Sequence, residues 1–145
     1  MKNKLILVTL TIILGITFTF FVLNKDYTYA KEDYLVYAFQ VGSFENIENA
    51  ENYANKLTSS VILKQDNLYK VYVAMYKDID LVNNMVVYFE DKNINIYLKS
   101  IEVTESFYTL LDNYEKLLRN SEDKSIYDKV NQSILNSYLE SLKNE

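Results

Sequence analysis

The sequence predicts an α+β fold, a four-stranded antiparallel sheet with two helices on one face. Three observations carry this. Short β-branched and aromatic runs alternate with amphipathic stretches in the order strand–helix–strand, strand–helix–strand. The pattern around Gly42 returns 32 positions later, aligning Gly42 with Ala74, Phe44 with Tyr76, Ile47 with Ile79 and Leu57 with Phe89. Outside an apolar leader the chain holds a single glycine, Gly42, between the first strand and the first helix. A lone glycine there marks a backbone site with no room for a side chain.

Each element follows from its own residues. Tyr34 to Val41 is β-branched and aromatic, and strict alternation puts Leu35, Tyr37, Phe39 and Val41 on one face, with Val36, Ala38 and Gln40 on the other. Asn46 caps a helix carrying Ile47, Ala50, Tyr53, Ala54 and Leu57 at helical spacing. Val61 to Leu63 is a second strand, Asp66-Asn67 a turn, and Leu68 to Met75 a third strand. On that strand Tyr69, Val71 and Val73 share one face, and Leu68, Lys70, Tyr72 and Ala74 the other. Asp78 or Asp80 caps a second helix with Leu81, Val82, Met85, Tyr88 and Phe89, and Ile94, Ile96 and Leu98 alternate through a fourth strand running toward Val103. Two right-handed units joined by a hairpin give the ferredoxin-like βαββαβ arrangement. Its helix-free face is open unless something lies on it.

The ends of the chain differ in texture. Leu5 to Leu23 is 19 positions without a charge, long enough to cross a bilayer, and Lys2 and Lys4 ahead of it place the amino end inside. The expected organisation is a transmembrane anchor over 1–24, a juxtamembrane tether over 25–33, the α+β domain over 34–103 and a helical hairpin over 104–145. A cleaved signal peptide is the competing reading of the leader, with Thr28-Tyr29-Ala30 imitating a cleavage site. Either way the remainder is exported, facing the cell wall. In the hairpin Phe107, Leu110, Leu111, Tyr114, Leu117 and Leu118 form one stripe, and Tyr127, Val130, Ile134, Tyr138 and Leu142 another. These stripes pack on each other, on the open sheet, or on a partner helix.

Composition excludes several functions. Setting aside Lys2, Lys4 and Lys25 leaves 12 basic residues against 20 acidic ones, which argues against nucleic acid and anionic lipid as partners. Without histidine or cysteine, the usual activated nucleophiles and zinc sites are missing. Asp78-x-Asp80 lacks the glycine and closing glutamate of a calcium loop. No cofactor and no catalysis are expected.

Gln40-Val41-Gly42-Ser43-Phe44, a helix with Ala50 in its first turn, and Leu68-Tyr69-Lys70-Val71-Tyr72-Val73 together resemble the sporulation-related repeat, the SPOR domain, over residues 34–103. The resemblance implies a module that binds peptidoglycan glycan strands stripped of their stem peptides, at division or spore septa. It implies a ligand lying across the open sheet face near Gln40, Ser43, Leu68 and Lys70. Gln40 can donate to and accept from amino-sugar amides and hydroxyls, and Tyr72 or Tyr97 can lie against a sugar ring. Lys70 can meet a lactyl carboxylate. This sequence departs from the family pattern where Leu68 replaces an aromatic, Lys70 an arginine and Ala74 a glycine. The rival reading is an envelope scaffold that binds another protein, through the hairpin and sheet, without touching glycan.

Overall fold

β1, Leu35–Phe44, is the first element of the computed structural model, which describes residues 34–143. It is followed by α1 (Ile47–Ala54), β2 (Val61–Gln65), β3 (Leu68–Tyr76), α2 (Ile79–Asp91) and β4 (Tyr97–Glu102). Two further helices, α3 (Glu105–Arg119) and α4 (Tyr127–Lys143), complete the chain, joined through a 3-10 turn at Lys124–Ile126. The strands pair in the order β2-β3-β1-β4, all antiparallel. This is the order expected of the ferredoxin-like arrangement. The expected anchor, Leu5 to Leu23, and the tether lie outside the described residues. Among the described residues no helix is long and apolar enough to cross a membrane.

The internal repeat survives as a repeat of junctions. β1 and β3 end at Phe44 and Tyr76, and α1 and α2 start at Ile47 and Ile79, each pair 32 positions apart. Asn46 caps α1 by accepting from the Glu48 N–H at 2.7 Å, and Asp78 caps α2 by accepting from the Leu81 N–H at 2.9 Å. Asp66 and Asn67 both take positive φ (53° and 62°), the geometry of a type I′ hairpin turn that matches strand twist. Two boundaries move. α1 stops at Ala54, short of Leu57, and β4 begins at Tyr97, because Asn93 (φ 59°) ends α2 and the Ile94 N–H folds back to the Phe89 carbonyl.

Strict alternation fails in the middle of the sheet. Phe39 stands opposite Ala74, Gln40 opposite Tyr72, Gly42 opposite Val71 and Ser43 opposite Lys70. Val73 on one strand and Val41 on the other are therefore without a directly opposite residue, and the shifts cancel. Paired residues share a face, so Ala74 joins Phe39, whereas uniform alternation had placed it with Lys70 and Tyr72. The ring of Tyr76 meets Phe39 edge-on with centroids 5.7 Å apart, on that same side.

Both early helices cover the Phe39 face. Phe89 of α2 packs its ring 5.9 Å from that of Phe39, and Tyr53 of α1 packs 5.5 Å from Phe44. The glycine follows from this packing. A Cβ at residue 42 would stand 2.6 Å from Cε2 of Phe44, whose ring folds back over it. Gly42→Ala is expected to push the Phe44 ring away from Tyr53 and to cost about 1–2 kcal/mol by overpacking. Thermal unfolding and loss of the Phe44–Tyr53 ring contact by NMR check this.

The opposite face is not left open. Val36, Ala38 and Met75, which lie on it with Gln40, are fully buried and join Phe107, Leu111, Leu118, Ile134, Leu135 and Tyr138 in one core. The hairpin thus caps the sheet. β3 also runs past Tyr72, its last partner from β2, which leaves Val73–Tyr76 without a strand neighbour on that side. α4 packs against β3 here. Ser59 Oγ donates to the Val73 carbonyl at 3.1 Å, and Gln132 accepts from the Ser60 N–H at 3.0 Å. Tyr76 donates its hydroxyl to Asn131 Oδ1, while the buried Nδ2 of Asn131 has no partner. The described residues, 34–143, fall in one compact unit, so the hairpin and the α+β domain are not separate bodies.

Candidate functional site

The register shift in β1 assembles the candidate site. Gln40 and Ser43 are three residues apart and would point to opposite faces of a regular strand. The extra residue at Val41 returns Ser43 to the side of Gln40, because each is paired with a residue of β3, Tyr72 and Lys70, that lie two apart. Leu68 continues the same row of β3. On the other side of β1, Gln40 stands opposite Tyr97 of β4. Gln40, Ser43, Leu68, Lys70, Tyr72 and Tyr97 therefore share one face.

Their accessibility differs sharply. Tyr97 is 60 % exposed and Ser43 is also exposed, whereas Leu68 and Lys70 are half-buried. Gln40 keeps 9 % of its surface and Tyr72 only 2 %. The Tyr72 ring thus presents no face to a ligand in this arrangement, and its hydroxyl donates to Gln65 Oε1 at 3.0 Å. Burial, and after it the charge of Asp66, raises the Tyr72 pKa, which keeps that hydroxyl a neutral donor. Of the two candidate tyrosines, only Tyr97 has an exposed ring.

Lys70 is engaged. Its ammonium lies 2.9 Å from Asp66 Oδ2, across the hairpin turn. Asp66 is largely exposed, so the pair is screened by water and holds Lys70 only weakly. The acidic residues Asp78 and Asp80 open α2. Asp78 caps α2 and pairs with Arg119 of α3.

One buried carboxylate escaped the sequence reading. Glu115, on the inner side of α3, accepts from the backbone N–H of Lys77 at 2.7 Å and of Asp78 at 3.0 Å. It pins the hairpin to the β3–α2 junction. Burial raises its pKa, and the two backbone hydrogen bonds only partly oppose that. The available signal was its position, on the stripe of Phe107, Leu111 and Leu118 where an apolar residue would be expected.

The SPOR domain matches residues 36–87. Over this segment the chain is similar to the SPOR domain family. The match runs from β1 into α2 and takes in Gln40, Ser43, Leu68, Lys70 and Tyr72. β4 with Tyr97, and the hairpin, lie beyond it. SPOR domains are in general peptidoglycan-binding domains of cell-division proteins. Comparison with curated proteins and with solved structures gave no match.

Proposed function

We propose that the chain is a membrane-anchored module that binds peptidoglycan glycan strands stripped of stem peptides, with its domain facing the cell wall at the septum during division or sporulation. The observation that carries the reading is the shift at Gln40–Gly42. It brings Gln40 and Ser43 to one face with Lys70 and Tyr97 inside a chain whose central segment matches the SPOR domain. That face offers the Ser43 hydroxyl and lysine ammonium groups beside one exposed aromatic ring, Tyr97, a set that suits a polar ligand with flat apolar faces, while Gln40 is buried beneath them. It acts by binding, as the family does.

An envelope scaffold is the second reading, favoured by Leu110 and Leu117, which stay exposed on α3. Ser43→Ala with Tyr97→Ala separates the two, because both side chains are exposed and their loss spares the core. In cells, a fluorescent fusion carrying this pair is expected to lose most of its septal enrichment, while Leu110→Ser with Leu117→Ser keeps it. The reverse outcome would replace glycan with a protein partner.

A further inference from the structure

The candidate face carries a second lysine that no motif points to. Lys99 of β4 stands opposite Ala38, one step from the Tyr97–Gln40 pair, so it shares the face of Gln40, Tyr97 and Lys70. Residues two apart on a strand are about 7 Å apart, so its ammonium is within a side chain's reach of a ring lying on Tyr97. Lys99 is exposed and, among the described residues, has no carboxylate within salt-bridge distance. Lys70 by contrast is half-buried, with its ammonium 2.9 Å from Asp66. Glu102, the acidic residue nearest along β4, points to the opposite face, since it lies three positions away.

We propose that Lys99, rather than Lys70, is the cation that meets a carboxylate on the bound glycan. This rests on the glycan reading above and adds to it the feature the face would recognise. Removing a stem peptide hydrolyses the amide on the lactyl ether of the muramyl sugar and leaves a carboxylate there. An intact stem leaves a neutral amide at the same position. An unpaired ammonium beside the sugar platform therefore distinguishes stripped strands from substituted ones through charge. The contact is solvent-exposed, so its contribution is modest and salt-dependent.

An edge lysine has another use, which is to blunt strand-to-strand association. The test separates the two roles. Binding of the full chain is measured to purified stripped strands and to the same strands with their lactyl carboxylates converted to methylamides. Wild type is expected to prefer the free carboxylate about fivefold at low salt, with the preference shrinking as salt rises. Lys99→Gln is expected to bind both preparations alike while remaining monomeric by sedimentation, and Lys70→Gln to keep the preference. The proposal is overturned if Lys99→Gln retains the preference, if Lys70→Gln loses it, or if wild type binds both preparations equally. In those three cases glycan binding itself stands. Wild type binding neither preparation removes the glycan reading and this assignment together.

Discussion

Ending the chain at Val103 is expected to abolish cooperative unfolding of what remains, although the SPOR match lies wholly within the retained part. The hairpin packs on β3, whose end runs beyond β2, and shares one core with Val36, Ala38 and Met75 on the sheet face opposite Phe39. Burying one large aliphatic or aromatic side chain contributes about 1.5–3 kcal/mol. Several such residues on each side of this interface together exceed the roughly 5–15 kcal/mol by which a domain is stable. Far-ultraviolet circular dichroism against urea tests this. The shortened chain should give a broad, shallow change where the full domain gives a sigmoid. A sigmoid of unchanged midpoint from the shortened chain would mean that the hairpin is an appendage.

Glu115→Ala is expected to destabilise the domain by about 1–2 kcal/mol, since the partly buried N–H groups of Lys77 and Asp78 lose their acceptor. Glu115→Gln keeps an oxygen in that position and should cost much less. The two variants also differ from wild type in pH dependence. Burial raises the Glu115 pKa in the folded state, so between the ordinary carboxylate value and that raised value the folded chain holds more protons than the unfolded one. Stability from this group is therefore fully present below the ordinary value and is lost as pH rises through the raised one. Asp128 runs the other way. Burial pushes its pKa up, but hydrogen bonds from Lys92, Thr58 and Tyr88 outweigh it and hold the carboxyl low, so its contribution is lost on acidification. Subtracting the Glu115→Gln stability curve from that of wild type isolates Glu115. The difference should fall as pH rises from about 4.5. A flat difference would contradict the assignment.

Much of the fold was legible because local signals agreed with each other. The Asn46 and Asp78 caps, the Asp66-Asn67 turn and the 32-residue repeat each locate a boundary by chemistry that needs no distant contact. The site was only partly legible. Alternation placed Gln40, Lys70 and Tyr72 on one face but could not place Ser43, whose side depends on an extra residue at Val41 that only pairing with β3 reveals. The same rule misplaced Ala74, for the matching reason at Val73. Burial was the harder part. Tyr72 reads as an exposed sheet aromatic until the hairpin is laid on the adjoining residues, and that packing depends on contacts between positions far apart in the chain. Glu115 was hidden in an apolar stripe because its partners are backbone groups, which leave no mark in a sequence. Lys99 lay outside every motif and became visible only through the β1–β4 register.

The central claim is that the face of Gln40, Ser43, Lys70 and Tyr97 binds glycan strands from which the stem peptides have been removed. Co-sedimentation of the full chain with purified cell-wall sacculi, before and after an amidase removes the stems, tests it most directly. The account predicts binding that rises on stripping and falls back in the Ser43→Ala, Tyr97→Ala variant. Equal recovery of the folded protein with neither preparation, or binding that stripping reduces, would contradict it.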